Sequence, residues 1–97
     1  MYVIDITVDA LEDLRFLRKH EQERIFDQIE KQLTYQPTLP TRNRKLLRPN
    51  PLAAWELRID PFRIFYNIDE NKVVVSVVAV GRKEGNHLFI RGVEYSL

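Results

Sequence analysis

Hydrophobic and polar residues alternate at the start of the chain. Tyr2, Ile4 and Ile6 interleave with Val3, Asp5 and Thr7, and this period of two predicts a β-strand. The period then lengthens. Leu11, Leu14 and Leu17 recur at helical spacing, with Asp9 as candidate N-cap and Glu12 as its capping-box partner, which predicts a helix over 10–19. His20-Glu21 reads as a corner, with His20 capping or facing solvent. From about 21 to 35, Ile25, Phe26, Ile29 and Leu33 share one face while Glu23, Asp27, Glu30 and Lys31 point elsewhere, which predicts a second helix. The apolar faces of such a hairpin need a sheet to cover.

Pro37, Pro40, Pro49 and Pro51 make 36–54 a poor interior for either helix or strand, so this stretch reads as a long connection. Connections of that length in small domains tend to be functional. Strands are predicted at 55–60, 62–69 and 72–80, with turns at Asp60-Pro61 and Glu70-Asn71. The valine run of the last strand implies burial on both faces and a central place in the sheet. The tail after Gly81 predicts one short extended segment. The order β-α-α-β-β-β defines an α+β fold: an antiparallel sheet with an N-terminal helical hairpin packed on one face and the other face left open.

A chain of 97 residues, 44% hydrophobic and 30% charged, has the size and balance of one folded domain spanning 1–97. The absence of cysteine removes disulfides, thiolate nucleophiles and cysteine-based zinc sites. Asp5 and Asp9 interrupt any signal-peptide pattern, and the longest apolar run, Val73 to Val80, is far short of the roughly 20 residues that span a bilayer. A cytoplasmic location without membrane contact is therefore expected. Charge is uneven: 1–40 carries five Lys/Arg against eight Asp/Glu, 41–66 six against two, and 67–97 four against four. The basic middle suggests a local anion-binding face, although charge runs are often only solvated surface.

Arg58 and Arg63 fall inside predicted strands, where a permanent charge must be paired or wetted. A sheet face displaying guanidinium groups suits a polyanion, and RNA is the leading candidate.

The N-terminal strand, helical hairpin and basic connector lead into Trp55-x-Leu57-Arg58-Ile59, Phe62-Arg63-Ile64-Phe65-Tyr66 and a valine strand closing on Gly81-Arg82-Lys83. Over residues 2 to about 89 this resembles the RelE/ParE superfamily of bacterial type II toxin–antitoxin toxins. The RelE branch implies a ribosome-dependent endoribonuclease that inhibits translation by cutting mRNA through the RNA's own 2′-hydroxyl, with no metal or cofactor. The enzyme then has to stabilise phosphate charge and move protons.

On that resemblance Arg63 matches the strand arginine that stabilises the phosphate, and Arg58 a neighbouring basic position. Glu56 falls where members carry a lysine or a glutamate acting as base. Lys83, or Arg82 if the register slips, matches the basic residue after the valine strand. Phe89 stands where the family often has a tyrosine, which would shift proton transfer to His87, Glu56 or Lys83. Arg42, Arg44, Lys45 and Arg48 would contact RNA or antitoxin acids, and Phe89 would stack on a base.

Plainer readings stand beside these. Arg63 could pair with Asp13 or Glu12, Glu56 with Arg58 or Arg63 across strands, and His87 could be an ordinary surface histidine. The resemblance further implies a cognate antitoxin as partner, with ribosome and mRNA as targets and no direct DNA recognition by this chain. Two alternatives remain open at this stage: a ParE-like inhibitor of DNA gyrase that acts by binding, and an inactive toxin fold serving as a protein-binding module.

Overall fold

A computed structural model describes residues 1–97. The elements are β1 (Val3–Ile6), α1 (Val8–Leu14), α2 (Lys19–Leu33), β2 (Arg44–Leu46), β3 (Trp55–Ile59), β4 (Phe62–Asp69), β5 (Val74–Glu84), β6 (His87–Ile90) and β7 (Val93–Tyr95). The strands form one sheet in the order β2-β3-β4-β5-β6-β7, with β1 also on β5. All pairings are antiparallel except β1 on β5, where Val3 aligns with Val74 in parallel after two helices and three strands of intervening chain. The valine strand is central, as its continuous apolar run predicts.

Both helices differ from their predicted bounds for a local reason. Thr7, not Asp9, caps α1: its Oγ1 accepts from the Ala10 N–H at 3.2 Å and donates to the Val77 carbonyl at 2.9 Å. One hydroxyl thus ends β1, starts α1 and ties both to β5. Glu12 pairs with Arg15 instead of closing a capping box. The corner comes earlier than His20-Glu21, because the Glu21 carboxylate accepts from the Arg18 N–H at 3.0 Å and starts α2 at Lys19. Ile25, Ile29 and Leu33 form the buried stripe of α2, whereas Phe26 sits on its margin and is 40% exposed.

The helix-side core joins Leu14, Ile25, Ile29 and Leu33 to Leu57, Ile59, Phe62, Ile64, Tyr66, Val75, Val77 and Val80. A register shift at Phe65/Tyr66 leaves Val78 as the extra residue of β5, so Val77 and Val80 both face this core. The opposite face carries a smaller cluster of Ala53, Phe65, Ala79, Leu88 and Ile90. Part of the sheet predicted to be open is therefore covered by the chain's own tail.

That tail is more ordered than a single extended segment. β5 continues through Gly81 to Glu84, and β6 and β7 form a hairpin turning at Arg91 and Gly92, both in the left-handed region (φ 52° and 75°). Within the long connection, Asn50 makes its own turn by accepting from the Leu52 and Ala53 N–H groups. No helix is long and apolar enough to cross a membrane.

Candidate functional site

The β3–β4 turn at Asp60-Pro61 sets two arginines opposite each other. Alternation sends Trp55, Leu57 and Ile59 into the helix-side core, so Glu56 and Arg58 must face the other way. The register pairs Arg58 with Arg63 and Glu56 with Phe65, which places Arg63 on that same face. The Arg63 side chain is only 7% exposed. Its Nε lies 3.1 Å from Glu56 Oε1, and its Nη1 lies 3.0 Å from Asp60 Oδ1 and donates to the Phe62 carbonyl at 2.9 Å. Asp60 Oδ1 also lies 3.5 Å from Arg58 Nε. Arg63 is thus paired with neighbouring strand and turn carboxylates and not with Asp13 or Glu12 on α1. Glu56 takes the cross-strand place that its position suggested.

The next strand decides which basic residue joins them. Gly81 lies opposite Arg63, so Lys83, two residues on, shares that face while Arg82 points to the helix side. The Lys83 N–H donates to the Pro61 carbonyl at 2.8 Å, which fixes the end of β5 against the arginine turn. Lys45 pairs with Glu56 across β2–β3 and joins this face too. Neither Lys45 nor Lys83 is in an ion pair, so both are unneutralised cations beside Arg58 and Arg63.

Arg82, His87 and Phe89 belong elsewhere. Arg82 stacks over the Phe62 ring at 5.6 Å and reaches Glu21 at 3.5 Å, while Phe89 is its cross-strand neighbour on the helix side. The hydrogen bond from the Arg18 N–H, helped by Arg82, holds the Glu21 carboxyl below its ordinary range. His87 shares the face of Phe89, is exposed, and bonds Glu94 at 2.7 Å. Arg82, Glu21 and Phe89, but not His87, border a cleft of about 500 Å³ that is also lined by Leu17, Arg18, Val80 and Arg91. The predicted set is therefore split between the two faces of the sheet.

The basic connector divides in the same way. Arg42 and Arg48 are exposed, and Arg48 borders a second hollow of about 410 Å³ made by 47–54 and Asn67. Arg44 departs from the expected RNA-facing group: it is buried, and its guanidinium donates to the Leu39 and Gln32 carbonyls. Register places it opposite Leu57 on the helix side, where it anchors the connection to α2.

Two residues escaped sequence reasoning. Asp60 bridges both arginines, and a carboxylate in the turn between two arginine-bearing strands was its signal. Asp13 accepts from the Val80 N–H at 2.9 Å and pairs with Arg91, a contact across 78 positions that no local pattern encodes. That hydrogen bond from Arg91 to Asp13 pushes the guanidinium above its ordinary range.

The face bearing Lys45, Glu56, Arg58, Arg63 and Lys83 offers planar donors for an oxyanion, a carboxylate and free ammonium groups. The family model for the ParE toxin of the type II toxin–antitoxin system parDE matches residues 4–86. In fold the chain is similar to the RelBE2 toxin–antitoxin complex of Mycobacterium tuberculosis (23% identity over 84% of this chain and 98% of that one, TM-score 0.73). It is also similar to the isolated E. coli RelE toxin (26% identity, 87% and 86% covered, TM-score 0.68). The intact E. coli RelBE complex matches at 27% identity over 87% of this chain and 99% of that one, with TM-score 0.67. No curated protein matches.

Proposed function

We propose that this chain, which belongs to the ParE toxin family of type II toxin–antitoxin systems within the RelE/ParE superfamily, is a toxin that cuts ribosome-bound mRNA. The single observation carrying this reading is the shared face of Arg58, Arg63, Lys83 and Glu56, with Arg63 held at two of its nitrogens in a fixed orientation. In the reaction, the 2′-oxygen attacks phosphorus, a P–O2′ bond forms and the P–O5′ bond breaks. Glu56 accepts the 2′-hydroxyl proton and Lys83 supplies one to the leaving 5′-oxygen, giving a 2′,3′-cyclic phosphate and a 5′-hydroxyl. Arg63 and Arg58 hold the non-bridging oxygens as charge grows on them, and a guanidinium already oriented needs little reorganisation to do so. Lys45, Arg42 and Arg48 extend the positive field along the RNA. His87 and Phe89, on the helix side, take no part in proton transfer.

The partner in this reading is a cognate antitoxin, in line with the two toxin–antitoxin complexes among the similar structures. Its acidic residues would compete for the same cations.

The test is cell-free translation of end-labelled mRNA, with cuts mapped by primer extension. Because Arg63 is buried against Glu56, Arg63→Gln preserves a donor there better than alanine does. Cleavage is expected to need ribosomes and to fall about 100- to 1000-fold in Arg63→Gln, the scale for losing one oxyanion donor. Intact mRNA with the wild-type protein would overturn the reading. One observation favours a second reading, inhibition of gyrase by binding alone. With Phe89 at the tyrosine position and His87 on the other face, the arginine face holds no imidazole, and the phenol that register brings to it, Tyr95, lies two strands beyond β5 on the edge strand β7. Inhibited supercoiling with uncut mRNA would select it.

A further inference from the structure

Resting on the endoribonuclease reading, we propose that Asp60 is a built-in competitor for the RNA phosphate, an internal anion that must be displaced before Arg58 and Arg63 engage substrate. Three observations carry this. First, one carboxylate oxygen, Asp60 Oδ1, lies 3.5 Å from Arg58 Nε and 3.0 Å from Arg63 Nη1. A single anionic oxygen between two guanidinium groups is the arrangement a phosphate oxygen would take. Second, the two carboxylates on Arg63 differ in freedom: the Glu56 side chain is 17% exposed, whereas that of Asp60 is 70% exposed on a turn. Glu56 is the fixed partner and Asp60 the displaceable one. Third, the turn that carries Asp60 is anchored independently of its carboxylate. The Asp60 carbonyl accepts from Arg24 Nη1 at 2.9 Å, and the Pro61 carbonyl accepts from the Lys83 N–H at 2.8 Å. The side chain is therefore free to swing out while the backbone stays in place.

Without RNA, the carboxylates of Glu56 and Asp60 balance the charges of Arg58 and Arg63. An incoming phosphate replaces Asp60 and restores a compensated pair on both arginines. Each exchange costs the Asp60 contact, so affinity for RNA is held below what the two arginines would otherwise give. The device keeps a strongly cationic face from binding any passing anion and favours an RNA held in place by further contacts at Lys45 and Lys83.

The experiment measures binding of a single-stranded RNA oligonucleotide by fluorescence anisotropy, at low and at physiological salt, for wild type, Asp60→Asn, Arg63→Gln and the double variant. Asp60→Asn is expected to bind roughly tenfold more tightly at low salt, with the gain shrinking as salt rises. In the Arg63→Gln background most of the gain should be lost, because the nearer of the two guanidinium groups for which Asp60 competes is then gone. Equal affinity with and without Asp60, or a gain that persists in the double variant as a general effect of net charge, overturns the proposal while leaving Arg63-dependent RNA binding intact. If neither wild type nor Asp60→Asn shows Arg63-dependent binding, the competitor proposal fails, whereas the endoribonuclease reading falls only if mRNA also stays intact in the cell-free translation reaction.

Discussion

Buried arginines occur twice in this chain, at 44 and at 63, and their surroundings differ in kind. Arg44 donates to the main-chain carbonyls of Gln32 and Leu39, neutral acceptors that fix a loop. Arg63 faces two carboxylates, of which the exposed one, Asp60, is the exchangeable partner in the reading proposed above. The same distinction between structural and exchangeable polar contacts applies to Tyr66. It is fully buried, stacked on Trp55 at 5.9 Å, and its hydroxyl donates to the Pro37 carbonyl at 3.0 Å. Burial pushes its phenol well above the ordinary tyrosine range, with Arg44 opposing. A raised folded-state pKa gives stability that is complete below the unfolded value, near 10, and is lost as pH rises beyond it. Tyr66→Phe is expected to cost about 1 kcal/mol at neutral pH and to lessen the alkaline loss. Urea midpoints at pH 8 and above pH 10, for both proteins, test this.

Two elements owe their places to single residues. β6 approaches β5 this closely because Gly81 has no side chain: a Cβ there would lie 2.8 Å from Leu88 Cδ1, 3.0 Å from the Phe89 carbonyl oxygen and 3.1 Å from Ile90 Cγ1. Gly81→Ala should destabilise by about 1–3 kcal/mol, the range for overpacking, and move β6 in amide chemical shifts. α1 is held to the sheet by Asp13, whose side chain is 4% exposed and serves both the Val80 N–H and Arg91. Asp13→Ala leaves the Val80 N–H without its acceptor and Arg91 with Asp9 alone, and should cost roughly 3 kcal/mol by denaturant titration. The β6–β7 hairpin, tied down by Arg91, should loosen with it, seen as faster hydrogen exchange in residues 87–95.

For the whole molecule, the sheet separates two charged surfaces that the sequence places side by side. Lys45, Arg58, Arg63 and Lys83 face away from the helices, whereas Arg18, Arg82 and Arg91 gather around the helix-side cleft. If RNA lies on the first surface, Lys45→Gln and Lys83→Gln should each reduce the slope of log affinity against log salt by about 0.7, the value for one phosphate contact on a single strand. Arg82→Gln should leave that slope unchanged. Anisotropy titrations over a range of salt check both statements, and an altered slope for Arg82→Gln would place RNA on the helix side instead.

Periodicity alone specified the helical hairpin, the arginine-bearing strands and the central valine strand, because each depends on which residues must leave water within a short window. The strand arginines stood out for the same reason, since a charge inside a strand demands a partner or solvent. Tertiary structure decided the rest. The choice between Lys83 and Arg82 depended on register against β4, where a shift of one residue exchanges the faces. The fate of Arg44 depended on carbonyls brought from α2 and the following loop, and that of Asp13 on a partner 78 positions away. The cap at Thr7 needed a hydroxyl beside β5, and the hairpin of the tail needed the space left by Gly81. Local burial is written in local sequence, whereas the partner of a buried charge is fixed only when distant segments meet, and in this chain those partners separate the arginine that anchors a loop from the one that faces carboxylates.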